Sequence, residues 1–251
     1  MGSDGDQDRM RLDVALVERG FVHTRARARD AILRGRVTVE GQPVTRPALS
    51  VARDANIALD DPAAQYVSRA ALKLASALDA FGFSVEGVTA LDIGASTGGF
   101  TQVLLQRGAK RVYAVDVGHG QLDAALAADP RVVAREGVNA RNLTATDVGE
   151  PVDAIVADVS FISLRLVLPA ALALAAQRAW GVFLVKPQFE VGRTNLGKGG
   201  LVRDLGLAKQ TAADIAQWLD REHGWPSIGI VPSPIAGGDG NREFLIGARR
   251  A

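Results

Sequence analysis

The chain has 251 residues, 47% hydrophobic and 23% charged, with 29 Lys+Arg against 28 Asp+Glu, an ordinary globular balance with material for one large domain and a small appendage. It has no cysteine and only three scattered histidines, His23, His119 and His223, so disulfides, thiolate sites and histidine clusters are excluded and no metal is expected. The longest apolar run, residues 166–176, falls well short of the roughly 18 that span a bilayer, and the polar start is no signal peptide, so a cytoplasmic protein with no membrane partner is expected.

Residues 1–10 are expected to form a disordered tail. Leu12, Ala15, Leu16 and Val17 recur at helical spacing up to Gly20, and a second helix is expected over 24–33 with Thr24 as N-cap. Segments 36–39 and 42–44 flank Glu40-Gly41 as a hairpin. Between Arg11 and Asp54 nine arginines stand against five acids, a basic patch suited to a polyanion. Arg25, Arg27, Arg29 and Arg34 are expected on exposed positions of the second helix. The alternative is a solvated helix face that binds nothing. Asp60-Asp61-Pro62 mark a boundary, giving expected domains over 11–60 and 61–251.

Beyond the boundary strand and helix alternate. Helices are expected over 69–81, 99–107, 121–128, 164–176 and 205–223, and strands over 89–93, 111–115, 132–136, 152–157, 180–185, 226–232 and 242–247. This is an α/β pattern, a doubly wound, mostly parallel sheet whose last two strands, with no helix between them, predict an antiparallel edge hairpin.

The strand over 89–93 runs into Gly94-Ala95-Ser96-Thr97-Gly98-Gly99-Phe100, a glycine-rich turn that lets a backbone approach a ligand closely. A dinucleotide fingerprint needs a second glycine where Ser96 stands. Asp92, at the strand end, would repel phosphates and attract a sulfonium or amino group, and Asp116 stands about 20 residues after Gly94, the distance of a ribose-binding acid. S-adenosylmethionine is therefore the expected cofactor, held by Asp92, Gly94, Ser96, Thr97, Gly98, Gly99, Phe100 and Asp116, with Asn139 near the adenine. The alternative is a tight turn whose aspartates only cap helices.

Four further polar residues stand where a sheet-based site would put them. Lys73 lies on the first helix of the second domain, Asp158 and Lys186 end strands, and Glu243 opens the last strand after the turn at 237–240. Methylating a ribose hydroxyl needs a group to take its proton, and Lys186 is the candidate base. Asp158 would orient it and lie near the sulfonium, while Lys73 and Glu243 would position the ribose and each other. Two ordinary salt bridges are the alternative. The loop over 190–204, with Arg193 and Lys198 among glycines, either closes over RNA or is a surface loop.

Arg11-Leu12-Asp13, residues 22–29 and 35–41 resemble the S4 domain, a small RNA-binding module. Segments 68–74, 91–94, 98–101, 157–160, 184–187 and 241–244 resemble the FtsJ family of ribose 2′-O-methyltransferases, whose Lys-Asp-Lys-Glu tetrad falls on Lys73, Asp158, Lys186 and Glu243. The two together, with 158–164 and 186–190, are similar to the TlyA family. The resemblance implies a Rossmann-like class I methyltransferase domain behind a small α+β S4-like domain, and 2′-O-methylation of cytidine in ribosomal RNA or ribosomal subunits. It also implies RNA contacts from Arg11, Arg25, Arg27, Arg29, Arg34, Arg36, Arg69, Arg193 and Lys198. Proteins of this kind have also been called haemolysins, so a membrane-active protein and an inactive RNA-binding fold are the competing functions.

Overall fold

The computed structural model describes residues 8–237 and 240–251. Residues 1–7 of the expected tail, and Gly238 and Asp239 of the turn before Glu243, lie outside the described residues. The chain divides into two compact units, the first reaching to Arg69 and the second running from Ala70 to Ala251.

In the first unit β1 (Arg9–Arg11) leads into α1 (Leu12–Glu18), followed by α2 (Arg25–Leu33), β2 (Val37–Val39), β3 (Gln42–Val44), β4 (Ser50–Ala52) and β5 (Ile57–Leu59). The Thr24 hydroxyl caps α2 by accepting the Arg27 N–H. Glu40 and Gly41, both at positive φ, close the β2–β3 hairpin. Leu12, Leu16, Ala28 and Ile32 of the helices bury against Val37, Val51 and Ile57. Strands β1, β4 and β5 go beyond the sequence expectation, since three residues are too few to display alternation. Because β1 pairs antiparallel with β4, residues 9 and 10 belong to the fold and not to a tail.

The second unit runs α3 (Ala71–Phe81), β6 (Thr89–Ile93), α4 (Gly99–Gln106), β7 (Arg111–Val115), α5 (Ala124–Ala127), β8 (Val132–Arg135), α6 (Ala145–Val148), β9 (Val152–Ala157), α7 (Leu164–Leu172), β10 (Ala175–Val185), α8 (Leu205–His223), β11 (Ser227–Pro232) and β12 (Phe244–Arg249). Its seven strands lie in the order β11-β12-β10-β9-β6-β7-β8, all parallel except β12, which is antiparallel to both β10 and β11. The expected edge hairpin is thus present. Leu91, Ile93, Ile155, Phe183, Val185 and Ile246 form the middle of a core that α7 and α8 cover.

Two expected helices are shorter than the sequence suggested. The apolar run over 166–176 does not continue as helix, because α7 ends at Leu172 and β10 starts at Ala175, pairing with Val152 before an irregularity that includes Arg178 at positive φ. An unbroken apolar run fits a buried strand as well as a buried helix, so periodicity could not place this boundary. The helix expected over 121–128 shrinks to α5 because the Glu136 carboxylate accepts the backbone N–H groups of Gly120, Gln121 and Leu122 at 2.8, 3.0 and 3.4 Å. Asp123 then caps the remaining turn.

Candidate active site

Strand register assembles the site. Ile93 of β6 is level with Val115 of β7 and Ala157 of β9, so Gly94, Asp116 and Asp158 emerge side by side at the carboxyl edge. Strand β10 runs two residues beyond the rung it shares with Ala157, and Val185 pairs with Phe244, which brings Lys186 and Glu243 to the same edge. With β7 on one side of β6 and β9 on the other, the connections diverge here, which is where open α/β sheets leave a ligand crevice.

Gly94 has φ +79, and a Cβ on it would stand 2.5 Å from the Asp158 carbonyl oxygen, so the close approach of the two strand exits requires glycine. The N–H groups of Gly94 and Ala95 donate to the Val115 carbonyl at 2.9 and 3.1 Å, and that of Gly98 donates to Ala95 at 2.7 Å. Asp116 accepts the Ser96 N–H at 2.8 Å and the Gly118 N–H at 2.7 Å. The turn amides of Gly94, Ala95, Ser96 and Gly98 are therefore already engaged, and the Asp116 carboxylate faces the ligand space.

A cavity of about 950 Å³ opens over these strand ends, and Gly94, Ser96, Asp116, Asn139 and Asp158 stand on its wall. Val117, Val138 and Leu166 give it an apolar side, with Val117 71% exposed and Leu166 57%. Asn139 does two things: its side-chain oxygen caps a short 3-10 turn by accepting the Arg141 N–H at 3.1 Å, and it borders the cavity. The other expected cofactor residues are not on the wall. Phe100 is buried in the core, Gly99 is buried in the first turn of α4, and the Thr97 carbonyl accepts the Asp123 N–H. A Cβ on Gly98 would meet the Leu126 side chain at 2.4 Å, so this glycine serves packing against α5.

Asp92 is fully buried beneath the turn, where its Oδ2 accepts the Thr101 hydroxyl at 2.6 Å and its Oδ1 has no hydrogen-bond partner among the described residues. Burial, and secondarily the charges of Asp158 and Asp116, push its carboxyl up to about 7. It is an acid held in a place that favours a neighbouring cation.

A second cavity of about 660 Å³ adjoins the first, the two sharing Ser160, Phe161, Gln188, Phe189, Arg193 and Leu196, while Lys186 and Glu243 line only the second. The four tetrad residues come together as two pairs. Lys186 Nζ lies 2.7 Å from Asp158 Oδ1, and Lys73 Nζ lies 2.6 Å from Glu243 Oε2, with all four side chains largely buried. Burial raises the Glu243 carboxyl above the usual range despite Lys73.

Three residues of the segments 158–164 and 186–190, to which the sequence reading gave no role, also shape the site. Ser160 accepts from Lys186 Nζ at 2.7 Å. Phe161 is 90% exposed at φ +65 and lies 5.2 Å from the Phe189 ring. Glu190 receives the Ser163 hydroxyl at 2.6 Å and the Leu164 N–H at 2.8 Å, tying the exit of β10 to the start of α7. Besides their place in those family-like segments, position gave a signal, since these residues follow Asp158 and Lys186 at the ends of parallel strands. Arg193 reaches both cavities, and Lys198 is exposed in the turn just before Gly199 and Gly200, which line the second.

The arginines of the first unit divide by their partners. Arg11 and Arg25 both hold the buried Asp13, at 2.9 and 3.1 Å, and the Arg11 guanidinium draws its carboxyl down to about 2. Arg27 and Arg34 are not on exposed positions. Arg27 donates to the Ala63 carbonyl, and Arg34 bridges Asp30 and the buried Asp61 at 2.9 and 2.6 Å. Arg69 is half-buried. Arg29 and Arg36 are exposed and, among the described residues, form no ion pair. Their charge faces solvent.

Residues 66–250 match the FtsJ-like methyltransferase family, and residues 10–57 match the S4 domain. The chain is 47% identical over 242 residues to the 16S/23S rRNA (cytidine-2′-O)-methyltransferase TlyA of Mycobacterium tuberculosis, covering 96% of this chain and 90% of that protein. It is 42% identical to Hemolysin A of Brachyspira hyodysenteriae, covering 94% and 98%. The solved structure of a Streptococcus thermophilus protein that carries the hemolysin name superposes with a TM-score of 0.77 at 38% identity, covering 97% and 89%. Among the described residues no helix is long and apolar enough to cross a membrane.

Proposed function

The chain belongs to the FtsJ-like methyltransferase family, and from that premise we propose that it moves the methyl group of S-adenosylmethionine to the ribose 2′-oxygen of a cytidine in ribosomal RNA. The observation that carries this is the Lys186–Asp158 pair standing where the cavity of about 950 Å³ meets a second cleft. The first cavity suits the cofactor. Its carboxylate-bearing wall at Asp116 and its apolar side fit a ribose and an adenine, and the charge of Asp92 buried behind that wall favours a cationic sulfonium or amino group over a phosphate. When bound, S-adenosylmethionine supplies an electrophilic methyl group on a positively charged sulfur.

The protein's own part is positioning and proton uptake. A ribose hydroxyl is a weak nucleophile, and Lys186 Nζ, on the wall of the second cleft, accepts its proton as the oxygen is alkylated. The amine must enter that step unprotonated. Asp158 stands between the two cavities and steadies the ammonium that forms. The buried Lys73–Glu243 pair fixes the start of β12 and the far wall of the cleft. Aligning oxygen and methyl in this way is worth up to roughly 7–11 kcal/mol of barrier. Arg193 and Lys198 at the cleft, and Arg29 and Arg36 on the S4 domain, supply phosphate contacts to the RNA.

The test is transfer of labelled methyl from S-adenosylmethionine to ribosomal RNA and to isolated subunits. Lys186→Ala should abolish transfer while the cofactor still raises Tm. Full activity in that variant would remove Lys186 from the chemistry.

A further inference from the structure

A neutral primary amine has four directions around nitrogen: the bond to Cε, two N–H bonds and the lone pair. Only the lone pair can take the acceptor's proton, so its direction matters as much as the amine's place. In this site Nζ of Lys186 has Asp158 Oδ1 at 2.7 Å and donates to Ser160 Oγ at 2.7 Å. The Asp158 contact is an ion pair that fixes where the nitrogen sits, and the N–H donated to Ser160 narrows the directions left to the lone pair.

Resting on the reaction proposed above, we infer that Ser160 is a positioning residue: beside the Asp158 ion pair its hydroxyl accepts one N–H of Lys186 and so turns the lone pair towards the acceptor cleft. Three observations place it for that task. Its hydroxyl lies on the wall of both cavities, at the boundary where the transferring methyl and the accepting oxygen would meet. It comes two residues after Asp158, on the turn that β9 sends over the carboxyl edge, so both oxygens are carried by one short segment. That segment is held at its far end, where Ser163 and Leu164 bind the Glu190 carboxylate, and Glu190 lies four residues beyond Lys186 on the opposing loop. The segment that carries Asp158 and Ser160 and the segment that carries Lys186 are therefore tied together twice, by the Lys186–Ser160 hydrogen bond and by the Glu190 carboxylate.

The experiment compares Ser160→Ala and Ser160→Thr with the wild-type protein in steady-state methyl transfer to ribosomal RNA. Ser160→Ala should lower kcat roughly tenfold, the scale of one lost hydrogen bond, with KM for S-adenosylmethionine and for RNA within about twofold of wild type. Ser160→Thr, which keeps the hydroxyl, should recover most of the rate. An unchanged kcat in Ser160→Ala, a loss expressed in either KM, or a threonine variant as slow as the alanine variant would overturn the inference. If Lys186→Ala is inactive while Ser160→Ala is fully active, only the role of Ser160 fails. If Lys186→Ala stays active, the proposed chemistry fails and takes the inference with it.

Discussion

Asp92→Asn should stabilise the protein at alkaline pH and weaken its hold on the cofactor. The carboxyl is fully buried, has one unpartnered oxygen, and has its pKa raised to about 7. Against an unfolded value near 3.9, the folded state binds the proton more tightly, so the native protein loses stability as pH rises from about 4 to about 7. At roughly 1.4 kcal/mol per unit, the full penalty above pH 7 is about 4 kcal/mol. Asparagine has the same shape, carries no charge, and can still bond the Thr101 hydroxyl. The variant should therefore match wild type near pH 4 and gain with rising pH, reaching an advantage in Tm of about 8–16 °C at pH 8 for a unit of this size. Thermal melts across pH 4–9, with and without S-adenosylmethionine, measure it. The cofactor-induced rise in Tm should shrink in the variant, because the buried negative charge that favours a cation is gone. A difference between variant and wild type that does not change with pH would refute the assignment of a strained, ionisable acid at this position.

The arginines of the first unit should separate into two phenotypes. Replacing Arg29 and Arg36 by alanine should leave Tm nearly unchanged and reduce the slope of log affinity for RNA against log salt by about one per residue. Replacing Arg34, which bridges Asp30 and buried Asp61, should instead lower the stability of that unit, and equal salt slopes for the two sets would contradict the division. Asp13, fully buried and drawn down to about 2 by Arg11, gives stability that is complete above pH 4 and is lost as pH falls towards 2. Asp13→Asn should cost roughly 2 kcal/mol at pH 7, read from denaturant unfolding, and very little at pH 2.

Strand and helix content beyond residue 70 follows from local pattern. The runs at β6, β7 and β9 are mostly apolar segments that end just before Gly94, Asp116 and Asp158, and their limits match those read from the sequence. The Gly94 turn, the spacing to Asp116 and the strand-end positions of Asp158 and Lys186 were likewise visible, because each follows such a segment, whereas the resemblance to a known family singled out Lys73, on α3, and Glu243. Other features depend on partners distant in sequence. Glu136 holds Gly120, Gln121 and Leu122 out of helix from across the sheet edge, and β1 exists only because β4 returns beside it. Local propensity contains no trace of either contact.

What the sequence determined by itself was the order of the seven strands and the longer helices beyond residue 70 and the kinds of side chain at the strand ends, since alternation, glycine placement and burial preference act over a few residues. Tertiary structure decided which of those side chains meet. Register set β10 two residues past β9, so that Lys186 reaches back to Asp158 and Ser160. The antiparallel entry of β12 brought Glu243 to Lys73. Packing under the turn hid Asp92, Gly99 and Phe100 from the cavity they were expected to line. Pairing and burial are fixed by contacts between residues far apart in the chain, and a one-dimensional pattern does not specify them.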